Sequence, residues 1–110
     1  MAVQEGLILY TIERDGCLTA VYTNEHLGSP IYNEIARKND GKPDIIEGEY
    51  DSAYFESQNS IVSQCVLKIE RKNQYRFEFK WYKQGSTTPI FQGYGYLLKH
   101  DMIAVHYGSA

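Results

Sequence analysis

Cysteine, proline and long apolar runs are all scarce in this sequence. Its 110 residues include two Cys, three Pro and one Trp. Nowhere do about 18 apolar residues follow one another, the length that a membrane-spanning helix needs. Cys17 and Cys65 lie far apart without C-x-x-C spacing, which excludes a disulfide-rich scaffold and a zinc knuckle. We expect two reduced, partly buried thiols.

Positive charge is also in short supply. Eleven Lys and Arg stand against fourteen Asp and Glu, so the net charge is −3 and the pI is near 5.5. Because proteins that bind phosphate backbones carry a clustered excess of Lys and Arg, we expect no nucleic-acid partner. Residues 1–6 lack a basic stretch followed by an apolar one. We expect a cytoplasmic protein without a membrane partner, although the mature form of an exported precursor would look the same.

Aromatic residues are abundant. Ten Tyr, four Phe and one Trp make up 14% of the chain, and hydrophobic residues make up 43%. A chain of this length has room for one core, so residues 1–110 are predicted to form a single domain.

The hydrophobic pattern is that of strands. Turn residues recur about every ten residues, and the segments between them alternate with period two, without the 3.6-residue period of a helix. The predicted strands cover residues 6–13, 17–23, 29–37, 44–55, 60–70, 74–82, 89–98 and 102–108. In the first turn, a three-residue loop with Gly16 in the left-handed conformation sets Ile12 opposite Leu18 and Tyr10 opposite Ala20.

Eight strands joined by short loops favour antiparallel neighbours. Closure into a barrel removes the two free edges that an open meander would expose to aggregation. We therefore predict an all-β fold, an eight-stranded antiparallel up-and-down barrel, with a two-sheet sandwich as the alternative. Eight strands leave an interior that side chains fill or that holds one small ligand.

Several short motifs resemble those of the calycin group, which includes lipocalins, fatty-acid-binding proteins and avidins. They are G-x-Y at 48–50, L-x-I at 67–69, Y-x-F-x-F-x-W at 75–81 and F-x-G-x-G at 91–95. Residues 45–108 are most similar to small bacterial lipocalin-like or avidin-like barrels. The resemblance implies a barrel that binds a small apolar or amphipathic molecule at its open end. Avidins use several Trp at the biotin site, whereas this chain has only Trp81, and the lipocalin G-x-W is missing. No ligand class is therefore carried over to any residue.

Glycines on inward positions raise the question of a cavity. Gly48, Gly93 and Gly95 weaken their strands unless a bend or a close approach requires them. One alternative is that the missing side chains leave a ligand pocket, and the other is that the glycines let the strands coil while aromatic rings fill the space. The candidate ligand-binding residues are Tyr50, Ser52, Tyr54, Ser63, Phe79, Trp81, Gly93, Gly95 and Tyr107.

Apolar residues also fall on outward positions of the later strands. Several of them in adjacent strands would form a patch, and such patches mark protein interfaces. They suggest a homodimer or higher homo-oligomer formed through Val62, Val66, Tyr82, Ile90, Tyr94 and Tyr96. The alternative is a sheet face covered by the stems of Lys68, Arg76 and Lys80.

Residues for metal binding or catalysis are not grouped by spacing. His26, His100 and His106 lack an H-x-H or H-E-x-x-H pattern, so we expect neither a metal nor a cofactor, and we expect His106 to point outward. The acidic row formed by Glu47, Glu49 and Asp51 would either pair with basic residues of a neighbouring strand or hold a cation.

Three functions follow from this pattern. The first is a non-enzymatic barrel that binds a small apolar or amphipathic molecule. The second is a solid barrel that acts as a homo-oligomeric interaction domain. The third is a small barrel isomerase or cyclase, which would need a His or a carboxylate inside the barrel.

Overall fold

Eight antiparallel strands form a closed barrel in the computed structural model, which describes residues 5–24, 32–55 and 63–110. The strands are β1 (Glu5–Ile12), β2 (Leu18–Asn24), β3 (Tyr32–Lys38), β4 (Gly48–Phe55), β5 (Ser63–Arg71), β6 (Arg76–Tyr82), β7 (Pro89–Lys99) and β8 (Met102–Ser109). Each strand pairs with the next, and β8 pairs with β1. The predicted meander barrel is confirmed, and the sandwich alternative is wrong. The described ranges contain no helix, so no helix there is long and apolar enough to cross a membrane.

The first turn has the predicted geometry. Gly16 has a φ of 85°, and Ile12 pairs with Leu18 and Tyr10 with Ala20. A Cβ atom at Gly16 would lie 2.8 Å from the Cα of Pro43. Glycine is therefore required here both by the backbone conformation and by the neighbouring loop.

Alternate residues of each strand fill the interior. Phe77, Phe79 and Trp81 of β6 point inward, as do Ile103, Val105 and Tyr107 of β8, and all six are buried. On β5, Cys65, Leu67 and Ile69 are buried. The rest of the described core comprises Ile8, Tyr10, Leu18, Ala20, Tyr22, Ala36 and Tyr50.

The two ends of the barrel differ. At the end we call the turn end, the connections are residues 13–17, 39–47, 72–75 and 100–101. The opposite end, the loop end, carries residues 25–31, 56–62 and 83–88. Two of these three segments lie outside the described residues, and with them parts of the predicted third and fifth strands.

A buried lysine organises the turn end. The side chain of Lys38 is 4% exposed and lies 3.7 Å from the Asp40 carboxylate. Its ammonium donates hydrogen bonds to the carbonyls of Lys42, Ile45 and Glu47 at 2.8, 2.6 and 3.0 Å. These carbonyls face the ammonium instead of a neighbouring strand, which explains why β4 begins at Gly48 and not at residue 44 as predicted.

Candidate functional site

A carboxyl group lies inside the barrel. Glu34 of β3 is 3% exposed, and its Oε2 atom accepts hydrogen bonds from three side chains. The donors are the hydroxyl of Tyr10 at 2.7 Å, the hydroxyl of Ser52 at 2.8 Å and the indole N–H of Trp81 at 3.3 Å. We call these four residues the Glu34 cluster.

Strand register brings the Glu34 cluster together. Ala20 of β2 pairs with Tyr10 on one side and with Glu34 on the other. The small Ala20 side chain leaves room for the phenol to reach the carboxylate. Ser52 pairs with Ala36, two residues from Glu34 on the same inward face of β3. Four strands, β1, β3, β4 and β6, therefore contribute one side chain each.

Burial controls the electrostatics of the Glu34 cluster. It raises the pKa of the Glu34 carboxyl above its ordinary value, although the three hydrogen bonds act in the opposite direction. Burial and the nearby Glu34 charge raise the pKa of Tyr10 well above its ordinary value. The same two causes raise the pKa of the Cys65 thiol to about 12. The cluster thus lies in a region of the barrel that disfavours charge.

Aromatic rings lead from the Glu34 cluster towards the loop end. The rings of Tyr10 and Phe79 stack with centroids 5.6 Å apart, and those of Phe79 and Trp81 stack at 5.8 Å. Tyr107 lies 5.9 Å from Trp81 and 5.9 Å from Phe91. Phe91 is half-buried. This row of rings gives the interior an apolar wall beside the carboxyl group.

The predicted site residues do not all lie together. Ser52 and Trp81 contact Glu34 directly, whereas Tyr50 lies near the turn end and donates its hydroxyl to the carbonyl of Ile46 at 2.6 Å. Tyr54 is half-buried on β4, and its ring meets that of Tyr22 edge to face, 6.3 Å away. The side chain of Ser63 is outside the described residues.

The two glycines of β7 do not face open space. A Cβ atom at Gly95 would lie 2.6 Å from Cε1 of Phe79 and 2.9 Å from methyl groups of Ile103 and Val105. At Gly93 it would meet the carbonyl oxygen of His106 and lie 2.8 Å from the Cα of Tyr107. The geometry fits the second alternative from the sequence: because Gly93 and Gly95 have no side chain, aromatic rings and the neighbouring strand β8 can pack closely against them. The alternative that they leave a cavity does not fit these two positions.

Sequence reasoning missed Glu34, the central residue of the cluster. Its strand mixes polar and apolar residues on both faces, with Asn33, Ile35 and Arg37 outward and Glu34 and Ala36 inward. Period two therefore does not reveal which face is buried. The inward face of β3 is set by its pairing with β2, whose inward face is apolar at Leu18, Ala20 and Tyr22, and no local pattern in β3 gives this register.

The predicted outer patch needs correction. Tyr94 and Tyr96 are 40% and 50% exposed, but Ile90 packs against the core and Val66 is half-buried. Tyr82 is half-buried, with the Lys68 ammonium 5.1 Å from its ring centre, and Val62 lies outside the described residues. The exposed apolar residues near the tyrosines are instead Leu7 and Leu9 of β1 and Val21 of β2, across β8, because β6 presents Arg76, Glu78 and Lys80 outward.

Two of the three side chains of the acidic row are paired within the protein. Glu47 accepts a hydrogen bond from Arg71 at 2.9 Å, and Asp51 accepts one from Asn39 at 2.9 Å. The ion-pair alternative is therefore confirmed for Glu47. Within residues 5–24, 32–55 and 63–110, no group of three or more His, Cys, Asp or Glu is arranged to hold a metal ion.

The histidines lie away from the Glu34 cluster. His106 points outward from β8, as predicted, and His100 is exposed in the turn between β7 and β8. His26 is outside the described residues. Cys17 and Cys65 are free thiols, the first half-buried and the second buried, which confirms the prediction for both.

Comparison with known proteins adds no relative. No protein-family model, no curated protein and no solved structure matches the chain. The barrel shape by itself does not distinguish the calycin group from other eight-stranded barrels.

Proposed function

We propose that this barrel binds a small amphipathic molecule whose head donates hydrogen bonds or carries a positive charge. The head would reach Glu34 from the loop end, and the apolar part would lie against the aromatic row. The observation that carries the proposal is the Glu34 carboxyl, buried among apolar rings and held by three donors on one oxygen atom.

A structural role alone would not call for a carboxyl group at this position. Removing a carboxylate from water costs several kcal/mol in proteins, and hydrophobic side chains of similar volume are often as stabilising or more so. Perturbed pKa values of buried groups cluster at functional sites for this reason. Tyr10, Ser52 and Trp81 keep the carboxyl in a fixed orientation, as a preorganised binding group requires.

The loop end is the favoured point of entry. At the turn end, Lys38 and the loop it holds cover the interior, and Tyr50 is fully buried beneath them. Towards the loop end, by contrast, Tyr54 and Phe91 are only half-buried. Small-molecule pockets combine such apolar walls with a few placed polar groups.

The Glu34 carboxyl group determines which kind of head group can bind. The buried carboxyl group accepts hydrogen bonds from a strong donor, and in its ionised form it attracts an ammonium and repels carboxylates and phosphates. The proposal therefore refines a general apolar or amphipathic ligand to one with a basic or donor head.

The single tryptophan makes this testable. Trp81 donates to Glu34, so its fluorescence reports on the cluster directly. We would titrate the protein with octylamine, octanol and octanoate, which share one chain and differ in the head. The proposal expects saturable changes in Trp81 emission with octylamine, weaker ones with octanol and none with octanoate. Equal responses to all three, or no saturable response to octylamine, would contradict it.

Variants assign the response to Glu34. Glu34→Gln should abolish the preference for octylamine while the barrel stays folded by circular dichroism. Glu5→Gln, an exposed position with the same change in charge, should keep it. An unchanged preference in Glu34→Gln would show that the carboxyl does not anchor the head.

One observation also favours a barrel enzyme as a second candidate. An isomerase or cyclase needs a proton donor or acceptor inside the barrel, and Glu34 lies there with a raised pKa. The test is to incubate a cell's small-molecule extract with the wild type and with Glu34→Gln. If the wild type, but not Glu34→Gln, converts a compound to an isomer of the same mass, the result would support catalysis. If the two extracts remain identical, the enzyme candidate is contradicted and only the binding function remains.

A further inference from the structure

A largely apolar surface lies on the outside of β2, β1, β8 and β7. We call it the outer apolar face. Its exposed large members include Leu7 at 61% and Leu9 at 39% exposure. The outward residues that form it are Leu7, Leu9, Val21, Thr23, Tyr94, Tyr96, Ala104 and His106.

Register arranges these residues in two rows across the strands. In one row, His106 lies between Leu7 and Tyr94. In the other row, Ala104 lies between Leu9 and Tyr96, and Val21 continues the row beyond Leu9. The leucines thus form one ridge and the tyrosines a second ridge, with β8 between them.

A groove separates the two ridges. Its volume is about 470 Å³, and its lining is almost entirely apolar. The small Ala104 side chain forms part of its floor. A surface with a ridge beside a groove can match a copy of itself, because a two-fold axis places the ridge of each copy in the groove of the other.

We propose that the outer apolar face binds a second copy of this chain in a two-fold symmetric dimer. The face contains no Asp, Glu, Lys or Arg, so it offers a charged partner no carboxylate, ammonium or guanidinium group; His106 contributes an imidazole. At its border, Arg76 lies 4.1 Å from the ring centre of Tyr94, and Glu78 pairs with Lys72 and Lys80 at 3.7 Å. A second copy of the chain presents an apolar face of the same shape.

The available area suits a dimer. Four strands about 4.8 Å apart and a four-residue span at about 3.3 Å per residue give an apolar centre of roughly 190 Å². A rim one side chain deep, about 6 Å on every side, enlarges the footprint to roughly 650 Å², within the range of about 600–1,000 Å² per partner for standard interfaces. The molecule measures 36 × 30 × 27 Å, so its side accommodates this footprint. Closed barrels have no free strand edges to pair, which leaves side-chain packing as the means of association.

The test is the mass in solution. Sedimentation velocity across a wide concentration range should show the wild type at twice the chain mass of 12.7 kDa. Leu7→Lys and Leu9→Lys each place a charge on the ridge and should raise the dissociation constant at least tenfold. Ile45→Lys, which changes an equally exposed apolar residue at the turn end (44% exposed), should leave the dimer unchanged.

Three outcomes would overturn the proposal. They are a wild type that stays monomeric up to millimolar concentration, a dimer that both leucine variants leave intact, and a dimer that Ile45→Lys weakens equally. Both leucines are outward-facing, and circular dichroism of each variant verifies that the barrel has folded. The readout does not depend on Trp81 or on any ligand, so it is independent of the proposed binding function.

Discussion

The hydroxyl of Tyr10 and the carboxylate of Glu34 are 24 residues apart in the sequence and 2.7 Å apart in the barrel. They meet above Ala20, which pairs with both residues. This contact places a titratable group in the interior of a small barrel, and its consequences can be measured.

The first prediction concerns stability and pH. Burial raises the pKa of Glu34 in the folded state, so folded Glu34 keeps its proton at pH values where the unfolded chain has lost it. The resulting stabilisation is complete below the ordinary pKa of 4.5 and is lost as the pH rises through the folded value. Glu34→Gln lacks this titration, so the variant should gain stability relative to the wild type over that interval, by about 1.4 kcal/mol for each unit of pKa shift.

Urea unfolding of the two proteins at a series of pH values measures this difference. Other carboxyl groups, such as Asp40 and Glu47, have lowered pKa values and give the opposite slope. Their contribution is common to both proteins and cancels in the difference. A difference that does not vary with pH would contradict the assignment.

The second prediction concerns Gly95. A methyl group there would lie 2.6 Å from the ring of Phe79, so Gly95→Ala should destabilise the barrel by about 1–3 kcal/mol through overpacking. Phe79→Leu removes the ring, including the Cε1 atom that a methyl group at Gly95 would meet. The double variant should therefore lose less stability than the sum of the two single changes, by more than about 0.5 kcal/mol in a double-mutant cycle. Strict additivity would mean that the ring and the glycine are not in contact.

These two sites show what the sequence predicts well and what it does not. Phe77, Phe79 and Trp81 alternate with charged residues, so period two alone places them inside. Asp15 and Gly16 define a turn whose geometry fixes the register of β1 and β2. Both features are local, since the chemistry of a few adjacent residues determines them.

Glu34 and the outer apolar face depend on distant neighbours instead. The inward face of β3 is set by its pairing with β2, across a connection whose composition does not fix the register. The outward position of Tyr94 and Tyr96 could be predicted from alternation. The proximity of Leu9 could not, because it requires the register of the β8–β1 pairing, which no connecting turn fixes.

The third prediction concerns Lys38. Its ammonium satisfies three backbone carbonyls and lies beside Asp40. Lys38→Met keeps the length of the stem but leaves these acceptors without their donor, and hydrogen bonds to charged groups contribute about 1.5–3 kcal/mol. We expect a loss of at least about 2 kcal/mol in the free energy of unfolding. Lys42→Met, at an exposed position in the same loop, should change it by less than about 0.5 kcal/mol, and equal effects of the two variants would contradict the role of Lys38.

The fourth prediction concerns the reactivity of the thiols. Burial raises the pKa of Cys65 to about 12, and burial also raises the pKa of Cys17. Because the thiolate is the reactive form, both should react slowly with a disulfide reagent near pH 8, and Cys65 should be the slower since it is buried. In Cys17→Ser the remaining thiol is that of Cys65, a residue that lies opposite Ser52 in the pairing of β4 and β5. Labelling of Cys65 therefore requires the barrel wall to open beside the Glu34 cluster. Its rate should rise with urea in parallel with unfolding and reach the rate of a free thiol once the chain is unfolded; rapid labelling of the folded variant would show that Cys65 is open to solvent.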